Sequence, residues 1–354
     1  MPEGDSLVRA GHRLRPVLAG RVLTHADLRV PQHATARLAG WTVAEVEPRG
    51  KWLLMRLTPP ADRPDARPHT LVSHLKMEGR WLVTDLDARW GAPGWQVRCV
   101  LETAEHRVLG AQLGRLDLVP TAEEDRLLGY LGPDLLDPSW NDPARGAELL
   151  AEGVRRLTAR PERPVGLALL DQRTTCGIGN VYRCEVLLLA GLDPHRPVGA
   201  VPDVPGLLMI ARDLLRANVP PSAPYTGWAR TTTGVKGNPE RPYGIEVLVP
   251  DRGFPGGLPR PLDADAAGPS SSGPADDAVP SSRRDPSDAH GRASTSGAGP
   301  RRPGDAPRPR GPHYWVYGHR TTPCLRCGGP VTFEEYGSPE DDERQLWWCR
   351  TCQR

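Results

Sequence analysis

Two C-x-x-C pairs close the chain, Cys324-Leu325-Arg326-Cys327 and Cys349-Arg350-Thr351-Cys352. No other feature restricts the possible fold so strongly. Each pair suits a tight knuckle, and the segment between them can return as a β-hairpin, so that four thiolates meet in a closed zinc site. Two disulfides or a chance cluster are the competing readings. Nothing in the sequence marks a secretory signal or an oxidising compartment, which weighs against disulfides. The expectation is one structural Zn2+ per chain, with no open coordination position for water. Cys99, Cys176 and Cys184 are isolated and read as small buried hydrophobes.

The rest of the chain divides by pattern. Leu7, Ala10, Leu14 and Leu18 share one face of a helix over 4–18. Short strand-like runs follow: Arg21–Leu28, Thr42–Glu47, Trp52–Leu57, Thr70–Leu75, Trp81–Thr84, Gln96–Glu102, Arg107–Leu109 and Arg115–Val119. Turn signals such as Pro59-Pro60 and Gly91-Ala92-Pro93-Gly94 separate them. A β-sandwich with an N-terminal helix over residues 1–120 fits this pattern. From about 121 the periodicity turns helical, over Ala147–Leu157, Pro164–Leu170, Val181–Leu189 and Gly206–Ala217, giving a helical domain over 121–250. Residues 251–312 are rich in Gly, Pro, Ser, Asp and Arg and hold few large apolar side chains, so they read as a disordered insertion. The finger occupies 313–354.

Charge excludes little. The chain has 45 Lys+Arg against 43 Asp+Glu, for a net charge of +2, so any basic surface must be local. No apolar run reaches the length of a membrane span. Only three lysines occur, Lys51, Lys76 and Lys236. Among so many arginines, a lysine in the turn Pro48-Arg49-Gly50-Lys51 stands out, because an ammonium can transfer a proton and a guanidinium effectively cannot.

The N-terminus reads Met1-Pro2-Glu3-Gly4. Removal of Met1 would leave a secondary amine beside a carboxylate. An α-amino group titrates near ~8 and is partly unprotonated at neutral pH. A secondary amine that adds to a sugar aldehyde carbon gives an iminium ion, an electron sink. Pro2 is therefore a candidate nucleophile and Glu3 a candidate general acid/base. Farther on, Gly177-Ile178-Gly179-Asn180 opens a helix, a place where backbone N–H groups can grip a phosphate, although a plain helix-entry turn would look the same.

These pieces together resemble the formamidopyrimidine-DNA glycosylase / endonuclease VIII family of bifunctional DNA repair enzymes. The matching residues are Pro2-Glu3-Gly4, Pro48-Arg49-Gly50-Lys51, His74-Leu75-Lys76-Met77-Glu78-Gly79, Leu131-Gly132-Pro133-Asp134, Leu170-Asp171-Gln172, Gly177-Ile178-Gly179-Asn180, Trp315-Val316-Tyr317-Gly318 and the terminal cysteines. The endonuclease VIII-like branch of actinobacteria is the nearest likeness, because it too opens Pro-Glu-Gly-Asp. The resemblance implies an α+β multidomain fold. It comprises an N-terminal β-sandwich with an N-terminal helix, a helical helix–two-turn–helix domain and a C-terminal β-hairpin zinc finger. It implies a bacterial, cytoplasmic, monomeric enzyme, nucleoid-associated when bound, whose partner is damaged double-stranded DNA. Base removal would run through an imine on Pro2 with Glu3 and Lys51 assisting, followed by β,δ-elimination. Asn180 and Arg344 would contact the DNA backbone, and His74 reads as a structural histidine or a phosphate contact rather than a catalytic base. Met77 would fill the space left by the extruded nucleotide, unless it is a packed core methionine.

Three departures qualify the resemblance. Ser6 stands where many relatives carry a second acid, with Asp5 beside it. The finger hairpin from Gly328 to Trp348 is long and holds Glu340-Asp341-Asp342-Glu343, which bears on the placement of Arg344. The insertion begins near where relatives carry a base-capping loop. The branch likeness favours oxidised pyrimidines. The alternatives are a formamidopyrimidine/8-oxoguanine glycosylase, suggested by His74-Leu75-Lys76-Met77, and a non-catalytic DNA-binding damage sensor. If residues 251–312 are disordered, deleting Ala264–Pro309 leaves DNA affinity unchanged. A large loss with a shallower salt dependence would instead reveal an arginine arm on phosphates.

Overall fold

The computed structural model describes residues 2–219, Thr232, 314–338 and 343–354, and as backbone alone 235–237, 245–247, 341 and 342. The expected insertion at 251–312 and Glu340 of the acidic stretch 340–343 lie outside the described residues.

Helix α1, Gly4–Leu18, buries Leu7, Ala10, Leu14 and Leu18, the face its spacing predicts. Each leucine stabilises by about 2 kcal/mol through area removed from water. Arg15 donates to the Val46 carbonyl at 3.2 and 2.9 Å, tying the last turn to the sandwich. The strands follow as β1 Arg21–Val22, β2 His25–Leu28, β3 Thr42–Arg49, β4 Trp52–Thr58, β5 His69–His74, β6 Arg80–Asp85, β7 Val97–Glu102, β8 His106–Ala111 and β9 Arg115–Pro120. One sheet has the order β1-β3-β4-β5-β9 and the other β2-β7-β8-β6, and the described pairings within both are antiparallel. Leu53, Leu71, Cys99, Leu101, Val108 and Trp81 pack between them with α1.

The expected single strand Arg21–Leu28 is in fact two. Leu23 donates to the Trp41 carbonyl and Thr24 to the Glu102 carbonyl, so the chain leaves one sheet and joins the other between adjacent residues.

Helices α2 Glu124–Leu128, α3 Pro143–Thr158, α4 Val165–Ala168, α5 Asn180–Leu189 and α6 Val204–Ala217 form the second half. Asp142 caps α3 through the N–H groups of Ala144 and Arg145, and Asp203 caps α6 through that of Gly206. The helix expected over Pro164–Leu170 is a single turn. The Thr174 hydroxyl lies in donating position to the Ala168 carbonyl at 3.0 Å and to that of Asp171 at 2.8 Å, turning the chain toward the Gly177 segment. Every residue of α5 is buried. Strands β10 Val235–Gly237 and β11 Ile245–Val247 pair antiparallel. The finger hairpin is β12 Thr332–Ser338 with β13 Asp341–Trp348. Trp315, Val316, Leu346, Trp347 and Trp348 join the same core as α5 and α6. Among the described residues no helix is long and apolar enough to cross a membrane.

Glu185, fully buried on α5, fastens the segment that leads into the finger. Its carboxylate accepts from the backbone N–H groups of Trp315 at 2.8 Å, Val316 at 3.0 Å and Tyr317 at 2.9 Å, and from the Thr232 hydroxyl. Glu185→Ala leaves those donors buried without a partner, at ~1–3 kcal/mol for each one. Urea unfolding of the full chain should show a loss of at least ~3 kcal/mol. A shift inside measurement error would deny Glu185 this structural role.

Candidate active site at the joint of sandwich, helices and finger

The N-terminus enters the joint because a carboxylate seats on a helix end. Glu3, wholly buried, accepts from the N–H of Gly179 at 2.7 Å, of Val181 at 2.9 Å and of Tyr182 at 3.4 Å. These are donors that the first turn of α5 cannot satisfy internally, and the helix dipole favours an anion there. The Gly4 N–H donates to the Gly177 carbonyl at 2.9 Å. Both glycines of Gly177-Ile178-Gly179 have a specific cause. Gly177 has φ +107°, and a Cβ on Gly179 would lie 2.4 Å from Glu3 Cδ. The anion gripped by this turn is thus the chain's own Glu3, not the DNA phosphate expected there. Pro2 stands half-buried beside it.

Lys51 follows a second left-handed glycine, Gly50, with φ +58°. The Gly50 N–H donates to Asp134 Oδ2 at 2.6 Å, and Asp134 Oδ1 accepts from Leu136 N–H at 2.9 Å. A Cβ on Gly50 would meet Cys176 Sγ at 2.8 Å. Cys176, expected as a plain buried hydrophobe, is buried and floors the lysine turn one residue before Gly177. Its thiol is pushed well up, first by burial and then by Asp134.

His74 ends β5 opposite Trp52 and Arg115. Burial, then the positive charges of Lys76, Lys51 and Arg115, push its imidazole down to about 4. Its Nδ1 accepts from the Lys76 N–H at 2.9 Å, so the ring is neutral with its proton on Nε2. A neutral donor amid cations suits an anionic ligand. Met77 lies on the following loop with 58% of its surface exposed, so it is no core methionine.

Asn180 and Arg344 meet through the finger. Asn180 Nδ2 donates to the Gln345 carbonyl at 2.7 Å, Arg183 Nη2 donates to the same carbonyl at 2.9 Å, and Arg183 Nη2 also donates to Asn180 Oδ1. β13 is thereby docked at the N-terminus of α5, with exposed Arg344 one residue away. Ser6 Oγ lies 3.5 Å from the Glu3 N–H, while Asp5 is buried and bound to Arg9 at 2.9 Å. Ser6 Oγ also donates to Asp5 Oδ1 at 3.5 Å, so the hydroxyl links the Glu3 backbone to the Asp5 carboxylate.

The sulfurs of Cys324, Cys327, Cys349 and Cys352 lie within 4.8 Å of one another. Tetrahedral Zn–S bonds of about 2.3 Å require sulfurs just under ~4 Å apart. The Gly329 N–H points at Cys327 Sγ at 3.3 Å, a donor suited to a thiolate. The four cysteines fit a structural zinc ion.

Of the expected residues, Pro2, Glu3, Lys51, His74, Asn180 and Arg344 gather around one joint, with Met77 on a loop at its edge and the cysteines behind the finger. Asp134, Cys176, Arg183 and Glu185 hold that joint together. A charged pair inside the otherwise apolar α5 was the one sequence signal for Arg183 and Glu185.

Asp134 gives a pH test. Burial raises its carboxyl to about 6, against the opposing pull of the Gly50 and Leu136 N–H bonds. Because the folded value lies above the unfolded one, its contribution is full below the unfolded value and lost as pH rises through about 6. Wild type should therefore lose stability relative to Asp134→Asn between pH 4 and pH 7, by at most ~3 kcal/mol. Urea unfolding across that range checks it, and a pH-independent difference would contradict it.

Comparison with known proteins agrees with this geometry. Residues 1–112 match the family described as formamidopyrimidine-DNA glycosylase N-terminal domain. A probable endonuclease 8 2 of Streptomyces coelicolor is 44% identical over all of this chain and 94% of its own length. A protein of Mycolicibacterium smegmatis named DNA-(apurinic or apyrimidinic site) lyase Nei2 is 32% identical over 100% of this chain and 99% of that one. The crystal structure of Lactococcus lactis formamidopyrimidine-DNA glycosylase, non-covalently bound to DNA containing an AP site, shares the fold. Its TM-score is 0.60 at 16% identity, over 100% of both chains. The chain belongs to the formamidopyrimidine-DNA glycosylase / endonuclease VIII family.

Proposed function

We propose that this protein is a bifunctional DNA glycosylase and AP lyase of base excision repair, with Pro2 as nucleophile. The observation that carries the reading is the buried seat of Glu3 on the N-terminus of α5, which fixes a carboxylate directly beside Pro2. Once Met1 is removed, the Pro2 nitrogen attacks C1′ of an extruded nucleotide and the bond from C1′ to the base breaks. The sugar ring opens as its oxygen takes a proton, leaving an iminium between C1′ and the Pro2 nitrogen. The electron sink acidifies C2′–H, and loss of that proton expels the 3′ phosphate. A second elimination expels the 5′ phosphate, and water releases the enzyme.

Glu3 moves protons in these steps and Lys51 neutralises phosphate near the lesion. Neutral His74 donates from Nε2 to phosphate. Asn180 and Arg344 hold the flanking backbone, and Met77 occupies the vacated stack. Zinc keeps the knuckles of the finger closed and supplies no step. In this reading 1–120 carries the chemistry, 121–250 and 313–354 grip DNA, and the protein acts as a cytoplasmic monomer on damaged duplex. Oxidised pyrimidines are the favoured lesions, from the resemblance of the opening Pro2-Glu3-Gly4-Asp5 to the endonuclease VIII-like branch.

Borohydride reduction during turnover tests the reading, on duplexes with an abasic site, dihydrouracil, thymine glycol or 8-oxoguanine. Protein shown by mass spectrometry to begin at Pro2 should be trapped as a covalent adduct, with pyrimidine lesions ahead of 8-oxoguanine. Glu3→Gln should slow base release by about a hundredfold or more, and Pro2→Gly should sharply reduce the adduct. No adduct on any duplex would leave a non-catalytic DNA-binding protein.

A further inference from the structure

Trp95 is the most exposed of the large apolar side chains among the described residues, at 74%. An indole this exposed offers a broad flat apolar face to a binding partner. Its turn is also held firmly. Arg29 Nη1 donates to the Gly94 carbonyl at 3.0 Å, and Arg98 Nη1 to that of Trp95 at 3.2 Å.

Strand register fixes where this turn lies. Arg80 and Val97 both pair with Ala111, so the start of β7 sits two strands from the start of β6, where the Met77 loop ends. The Gln112 N–H donates to the Gln96 carbonyl at 2.8 Å, joining the Trp95 turn to the loop between β8 and β9. The Gly114 N–H, from that same loop, donates to the His74 carbonyl at 3.0 Å. One end of the sandwich therefore carries His74, the Met77 loop and the Trp95 turn. Lys76, Arg80, Arg98 and Arg29 stand on this end, against Glu78 and the Asp27 that pairs with Arg29. It is a local basic edge on a chain of net charge +2.

We infer that Trp95 is a DNA contact, a stacking platform for an unstacked base of the bound strand, with Arg98 beside it for a phosphate. The inference rests on the repair reading and extends its DNA face. Two strand spacings of about 4.8 Å separate the starts of β6 and β7. At ~3.4 Å per nucleotide, that is about three nucleotides along the strand from the Met77 loop. Aromatic stacking tolerates every base and carries no charge, whereas a guanidinium on phosphate makes binding salt-dependent.

The test uses the full chain and a duplex with a tetrahydrofuran abasic analogue, which binds without forming an imine. Trp95→Ala should weaken binding by roughly fivefold to a hundredfold, with Trp95→Phe restoring most of it. The salt slope should be unchanged in Trp95→Ala and shallower by about one in Arg98→Ser. In wild type, 5-iododeoxyuridine placed two to five nucleotides from the analogue should photocrosslink to the peptide holding Trp95. Unchanged affinity in Trp95→Ala, or no crosslink to that peptide from any of these positions, overturns the inference while the repair reading stands. Failure of wild type to bind the duplex at all sinks both.

Discussion

A single carboxylate on a helix end organises this molecule. Glu3 is the residue that caps the start of α1, yet its oxygens satisfy N–H groups of Gly179, Val181 and Tyr182 at the start of α5. The contact draws the N-terminus out of solvent and sets Pro2 at the joint of three parts of the chain. It also explains the glycines around it. Gly179 must lack a side chain to admit Glu3, and Gly4 must lack one because its Cβ would stand 3.0 Å from Gly177 Cα.

The other ties across the joint obey the same physics. Asp134 accepts from the Gly50 N–H, Glu185 accepts from three N–H groups of the segment entering the finger, and Asn180 and Arg183 donate to the Gln345 carbonyl. In each tie a polar side chain of the helical part meets backbone of the sandwich or the finger. Backbone partners do not shift as freely as long side chains, so Lys51, Pro2 and Arg344 are positioned through peptide groups. Buried N–H and C=O groups that lost these partners would cost ~1–3 kcal/mol each, which makes the joint cooperative.

Much of this was legible from local pattern. The face of α1, the sandwich strands, the helices and the cysteine knuckles all follow from short-range periodicity or spacing. What local pattern missed was long-range. Arg21–Leu28 reads as one strand because no Gly or Pro interrupts the run, yet partners in two sheets divide it. Gly177-Ile178-Gly179 reads as a phosphate grip because a helix N-terminus wants an anion, and the anion supplied lies 176 residues away in the sequence. Asp134 shows only as part of a resemblance, since its importance depends on the Gly50 turn above it. Met77 could have been core or surface by pattern, and only the loop's position made it exposed.

In the proposed mechanism the Gly179 turn acts on chemistry by seating Glu3. A double-mutant cycle on the rate of borohydride trapping tests it, using wild type, Gly179→Ala, Glu3→Gln and the pair, all confirmed to begin at Pro2 and to bind an abasic duplex. If the turn serves to seat Glu3, Gly179→Ala is slow and adds little further slowing to Glu3→Gln. Trapping of Gly179→Ala at the wild-type rate, or slowing that multiplies fully with that of Glu3→Gln, would contradict the account.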